Sequence, residues 1–112
     1  MIIAFPTEGD KLNDKIALHF GSTKNFLIYD IDSKKAKVLP NPEVLEEKEL
    51  PPDFLNKIGV NAVIVSGLGS KAFDLFKDLG IKTFKALEKN IGKNIEDFQN
   101  GKLRELNKSD VF

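Results

Sequence analysis

His19 is the only histidine in the chain, and there is no cysteine. Imidazole is a good ligand for zinc, iron, copper or nickel. A single imidazole does not hold a bare ion firmly, because three or four ligands are the rule. The others would have to come from carboxylates, from a partner chain, or from a cluster that arrives with its own ligands. His19 opens the run His19-Phe20-Gly21-Ser22, between a short extended piece at 15–18 and the flexible backbone of Gly21. Two readings are open at this point: His19 is a ligand, or it is a turn residue bonded to nearby backbone.

The second group with chemistry in it is the small-residue turn Ser66-Gly67-Leu68-Gly69-Ser70, with Lys71 directly after it. Its backbone N–H groups can cradle an anion, and Lys71 adds a positive charge. The turn carries neither the G-x-x-x-x-G-K-[ST] nor the G-x-G-x-x-G pattern of nucleotide loops. Gly67 and Gly69 can equally serve to let a strand and a helix pack closely. No triad is legible, since one histidine among scattered acids fixes no geometry. Asp30 and Asp32 fall at a strand end, where Asp bonds the local turn. Asp10, Asp14 and Asp30 are the acids that metal-dependent hydrolysis would need to bring together.

These residues need elements to position them. Ala62-Val63-Ile64-Val65 is short, β-branched and uncharged, as suits a strand buried on both faces. The turn at 66–70 follows it, and then Ala72, Leu75, Phe76 and Leu79 recur at helical spacing. Ligands collect at such an edge, beyond the carboxyl end of a strand and at the amino end of a helix. Earlier in the chain, Ile2-Ile3-Ala4-Phe5 reads as a buried strand ended by Pro6. Residues 26–31 and 35–39 form a hairpin around Asp32-Ser33-Lys34, with the second strand wet on one face and therefore at an edge.

Pro40-Asn41-Pro42 closes that strand, and residues 43–49 make an acidic surface connector. Pro51-Pro52 opens a helix that Gly59 stops, and Gly80 stops the next one. A fifth strand occupies 81–85. Asn94 is expected to cap a third helix at 95–99, with Glu96 and Asp97 in its first turn and Gly101 at its end. The glycines at 59, 80 and 101 are spaced by 21 residues, the length of a strand–turn–helix unit. The tail after Leu106 reads as frayed. A β-meander followed by alternating helix and strand implies a mixed sheet flanked by helices.

The chain has 112 residues with 17 basic and 17 acidic side chains, a net charge of zero that disfavours gripping a phosphate backbone. With no cysteine, thiolate-held zinc and iron–sulfur sites are ruled out within one chain. Neither a signal peptide nor a membrane span is legible, so the expected location is cytoplasmic. One domain over 1–112 is expected.

His19-Phe20-Gly21-Ser22 followed by Phe26-Leu27-Ile28-Tyr29-Asp30 resembles the H-F-G…F-x-I-Y-D signature of the dinitrogenase iron–molybdenum cofactor biosynthesis family. Gly59-Val60-Asn61-Ala62-Val63-Ile64 with Gly67-Leu68-Gly69-Ser70-Lys71-Ala72 resembles its next block. Leu79-Gly80-Ile81-Lys82-Thr83 and the closing Ile95-Glu96-Asp97-Phe98 with Gly101-Lys102-Leu103 continue the likeness. The resemblance implies a ribonuclease H-like α/β fold: a five-stranded mixed sheet in the order 3-2-1-4-5, strand 2 antiparallel, flanked by helices. It implies a nitrogen-fixation-related, non-enzymatic role in binding or carrying an iron–molybdenum cofactor or an iron–sulfur cluster. His19 would be the metal ligand. Phe20, Gly21, Ser66, Gly67, Gly69, Ser70 and Lys71 would complete the cofactor contact. Some relatives hold metal with additional Cys or His, which this chain lacks, so a finished cluster would be bound loosely or handed on.

The leading expectation is therefore a cofactor carrier that works with donor and acceptor proteins, without nucleic acid or membrane, as a monomer or weak dimer. The alternative is a regulatory domain that binds a small anion or nucleotide at Ser66 to Ser70, with His19 only structural. Hydrolysis of nucleic acid is the least favoured reading, given the neutral charge.

Overall fold

The computed structural model describes residues 1–43 and 49–112. Most of the acidic connector expected at 43–49 lies outside the described residues. The sheet has five strands: β1 (Ile2–Thr7), β2 (Asn25–Asp30), β3 (Lys35–Pro40), β4 (Ala62–Val65) and β5 (Lys82–Lys85), in the order β3-β2-β1-β4-β5. β2 runs antiparallel to both β1 and β3, while β4 is parallel to β1 and to β5. The helices are α1 (Pro51–Lys57), α2 (Ser70–Leu79) and α3 (Ile91–Gln99), and a 3-10 turn spans Lys108–Asp110.

Alternation along the strands divides the core between two faces. Ala4, Phe26, Ile28, Val63 and Val65 point to the side packed by α1 and α2, through Leu55 and Phe76. Ile3, Phe5, Leu27, Tyr29 and Ile64 point to the other side, where Ile91 and Ile95 of α3 cover them. All four β4 residues are buried, which is why its sequence shows no polar alternation. β3 leaves its first three residues exposed, as an edge strand with alternate lysines must.

Three local expectations need correction. Pro6 does not end β1: Pro6 and Thr7 still pair with Phe26 and Asn25. The β1–β4 ladder has already stopped at Ala4 and Val63, so the missing proline N–H interrupts nothing on that side. α3 begins one turn earlier than expected, capped by the Asn90 side chain, which accepts the Lys93 N–H at 3.0 Å. Asn94 is instead a buried bracket. Its amide donates to the carbonyls of Glu88 at 2.7 Å and Asn90 at 2.8 Å, and its oxygen accepts the Leu87 N–H at 3.1 Å. Glu96 and Asp97 consequently sit in mid-helix and contribute nothing to its first turn.

The tail after Leu106 is also tied down. Asn107 and Asp110 form a reciprocal capping box, and both Arg104 guanidinium NH2 groups reach the Asp110 carboxylate, at 2.7 and 2.8 Å.

Candidate functional site

Two segments meet beyond the carboxyl ends of β1 and β4. The first leaves β1 after Thr7 and returns to it through a bridge between Thr7 and Ile16. There the Ala17 N–H donates to the Pro6 carbonyl at 2.7 Å. It then presents exposed His19 immediately before buried Phe20. The Phe20 ring packs 5.2 Å from Phe26 and 5.3 Å from Phe76, the latter edge to face at 74°. Anchoring one residue in the core leaves its neighbour directed outward, and the imidazole is so placed. Among the described residues nothing hydrogen-bonds the His19 ring, so it is not tied off by backbone.

The loop is pinned from behind by two buried polar side chains. The Asn41 amide donates to the carbonyls of Gly21 at 3.0 Å and Thr23 at 2.9 Å. The Thr23 hydroxyl donates to the Thr7 carbonyl at 2.9 Å. Neither residue was singled out from the sequence. The available signal was Asn41 itself, an Asn between two prolines where a strand stops, which is a place for side-chain-to-backbone bonding.

The second segment is the turn after β4. Leu68 is buried and holds the turn to the core, while Gly67 and Gly69 lie under Phe112. A Cβ on Gly67 would stand 3.1 Å from the Phe112 ring, tighter than ordinary contact. The Phe112 N–H donates to the Leu68 carbonyl at 3.2 Å, and its main-chain oxygen accepts the Ser70 N–H at 2.8 Å. Among the described residues the next two amides of α2, Lys71 and Ala72, have no partner.

The other two helices begin differently. α1 starts with two prolines, which carry no N–H. At α3 the Ile91 and Gly92 amides are taken by the carbonyls of Asp14 and Leu12. α2 therefore keeps the helix amino end that is open to an anion.

The two segments wall one cavity of about 370 Å³. His19, Phe20, Gly21 and Ser22 line one side, and Gly67, Leu68, Gly69 and Lys71 the other. Leu75, Pro51, Pro52 and Phe112 supply apolar wall, and Glu43 is the acid at its margin. Lys71 is exposed and forms no ion pair among the described residues. Of the eight residues named from the sequence, the cavity gathers His19, Phe20, Gly21, Gly67, Gly69 and Lys71. Ser66 and Ser70 are not in its walls. Ser66 borders a separate depression, where the Lys85 ammonium donates to its carbonyl.

The three acids weighed for metal-dependent hydrolysis do not converge. The Asp14 carboxylate accepts the N–H groups of Asp10 at 2.9 Å and Lys11 at 2.8 Å, which lower its pKa from the ordinary value. Asp30 pairs with Ile2 at the opposite end of the strands, where the Asp32 N–H lowers its pKa in the same way. Among the described residues no three His, Cys, Asp or Glu side chains come together to hold a metal ion. One imidazole, one ammonium and two free amides do not suit a bare ion. They suit a negatively charged guest already coordinated by its own ligands.

The strand order defines a ribonuclease H-like α/β domain, with a cavity beyond the carboxyl ends of the two central parallel strands. The chain belongs to the dinitrogenase iron-molybdenum cofactor family, whose model matches residues 1–101. It is 32% identical over 115 residues to an uncharacterized protein of Methanocaldococcus jannaschii, across 95% of this chain and 92% of that one. Its structure is similar to the crystal structure of PH0822, with a TM-score of 0.81 and 30% identity over 94% of each chain. It is also similar to the apo form of the orange protein from Desulfovibrio gigas, with a TM-score of 0.84 over 94% of this chain and 92% of that one. At 23% identity the latter likeness speaks for the fold alone. No helix among the described residues is long and apolar enough to cross a membrane.

Proposed function

We propose that this chain is a single, non-enzymatic domain over residues 1–112 that carries a preassembled, anionic metal–sulfur cofactor of the iron–molybdenum or iron–sulfur kind. The cofactor is cargo, received from a donor protein and passed to an acceptor. The observation that carries this reading is the exposed imidazole of His19 facing the same cavity as Lys71 and the unpartnered amides of α2. The family match supports the choice of an iron–molybdenum type of cargo.

In this reading His19 supplies a nitrogen ligand to one metal of the guest. Phe20 holds the ligand loop in place, and Gly21 leaves the approach to it clear of side chain. Gly67 and Gly69 keep the opposite wall low, and Lys71 with the α2 dipole offsets negative charge. Ser66 and Ser70 shape the turn behind that wall. A lone protein ligand gives a hold weak enough for hand-over. The domain works as a monomer or weak dimer in the cytoplasm, without nucleic acid or membrane.

The test is anaerobic binding of isolated iron–molybdenum cofactor, with tetrathiomolybdate as a small molybdenum–sulfur anion beside it. The wild type should bind both, with His19→Ala losing most of the affinity at unchanged thermal stability and Lys71→Gln losing part of it. Equal binding by His19→Ala would remove the carrier reading. Amide shifts at Gly67 to Lys71 with inorganic phosphate, unaffected by that substitution, would point to a small-anion site.

A further inference from the structure

The amino end of α2 is partly covered by the chain itself. Phe112 places its ring on Gly67 and its main-chain oxygen on the Ser70 N–H, beside the two free amides. It lines the same cavity as His19 and Lys71, yet the residue is 76% exposed. An aromatic that buries so little against its own domain is lightly held. The attachments of residues 107–112 are of the same kind. They are the two-bonded Arg104–Asp110 pair, with Arg104 exposed and the Asp110 side chain 17% exposed, the capping box, the half-buried Val111 and two main-chain bonds of Phe112. Exposed ion pairs and single hydrogen bonds exchange readily with water. Leu106, by contrast, is buried in the core and marks where firm attachment ends.

We propose that residues 107–112 form a releasable cover over the α2 amino end, and that Phe112 and an anionic guest compete for the Ser70 N–H. The inference rests on the carrier reading of the cavity. Closed, the cover fills the first amide of the helix with a main-chain oxygen and lays an aromatic ring over the glycine turn. Open, it leaves the Ser70, Lys71 and Ala72 amides directed at the guest, a nest of three in place of two. Apparent affinity then falls by the fraction of molecules that are closed.

The probe is tetrathiomolybdate, titrated into wild type, Phe112→Ala and Arg104→Gln under anaerobic conditions. Amide hydrogen exchange at Ser70 is followed in the same samples. Opening the cover should raise affinity by roughly three- to tenfold in both variants, the factor by which the open fraction grows. In empty wild type the Ser70 amide should be protected. In both variants it should exchange several-fold faster, and in loaded wild type the Phe112 ring signals should shift to those of an unpacked ring.

Phe112→Ala lies at the surface, so its fold should be intact. Arg104→Gln leaves Phe112 in place and tests release without removing the ring. Binding at equal affinity by all three proteins, with Phe112 unmoved, would overturn the cover and leave the carrier reading standing. No binding by any of them would overturn both.

Discussion

The rings of Phe20 and Phe76 meet edge to face at 5.3 Å, and this contact joins the histidine loop to the helix that forms the opposite wall of the cavity. The geometry is the favourable one for two aromatic quadrupoles. It means that the spacing between His19 and the α2 amino end is set inside the core. Phe20→Ala would remove a buried ring that also touches Phe26. The expected loss is about 3–5 kcal/mol, read from denaturant midpoints. Phe20→Leu should cost about half as much and should weaken cofactor binding more than its stability loss explains, because the wall distance is no longer fixed. Unchanged binding by Phe20→Leu would mean that the loop finds its position without the ring.

Asn41 does the corresponding work from the other side of the loop. Its fully buried amide holds the carbonyls of Gly21 and Thr23, and its oxygen accepts the Glu43 N–H at 3.1 Å. Asn41→Ala leaves two carbonyls and one N–H to find new partners. The expected cost is about 2–3 kcal/mol. Faster amide exchange should be confined to residues 20–24 and 43. Exchange that rises evenly over the whole sheet would show that Asn41 supports the fold in general and not the loop.

How much of this could be read in the residues follows from which forces act locally. β4 and the turn after it were legible because an uncharged β-branched run and small residues leave few alternatives. The strand order was legible through the family likeness, carried by His19-Phe20-Gly21 and the Gly67 and Gly69 block. The start of α3 was not legible. Asn90 and Asn94 have the same capping chemistry, and only the fold reveals that Asn94 is buried against residues 87–90. The cavity was half legible. His19 and Lys71 stood out by type and Leu75 by its helical spacing, whereas Asn41 and Phe112 reach the site through pairings distant in the chain. Phe112 in particular lies in a tail whose polarity argues for fraying, and two main-chain bonds decide otherwise.

Gly67 and Gly9 should respond differently to an added methyl group. At Gly67 the Cβ would lie 3.1 Å from an exposed ring that is free to swing away. Gly67→Ala should therefore change stability by no more than about 0.5 kcal/mol, as surface substitutions do. It should move the Phe112 ring, seen as a change in its aromatic proton shifts. At Gly9 the Cβ would lie 2.3 Å from Oδ2 of Asp14, the oxygen that accepts the Asp10 and Lys11 amides. Gly9→Ala must expel that carboxylate and should lower the thermal midpoint measurably, with faster exchange at residues 10 and 11. A silent Gly9→Ala would show that the carboxylate has a second place to sit.

Acid should loosen the tail before it unfolds the domain. The two Arg104 hydrogen bonds, together with the Asn107 N–H, hold the Asp110 carboxyl down at about 2, against 3.8 unperturbed. A carboxylate with a lowered folded pKa contributes stability that is complete above the unperturbed value. That contribution is lost as the pH falls through the folded one. The attachment of residues 107–112 should thus be unchanged down to about pH 4 and fade between about pH 4 and 2. Asp14 is lowered too, first by the Asp10 and Lys11 amides and further by the Lys11 charge, so the 9–14 loop should relax in acid without any dependence on Arg104. Carbon-detected titration of the two carboxyl groups, with the Phe112 ring as reporter, separates them. Arg104→Gln should raise the Asp110 midpoint and leave that of Asp14 in place. Added salt should weaken the Arg104–Asp110 pair, because both partners reach solvent. Movement of both midpoints together in Arg104→Gln would mean that the tail and the 9–14 loop are coupled, and that release of one opens the other.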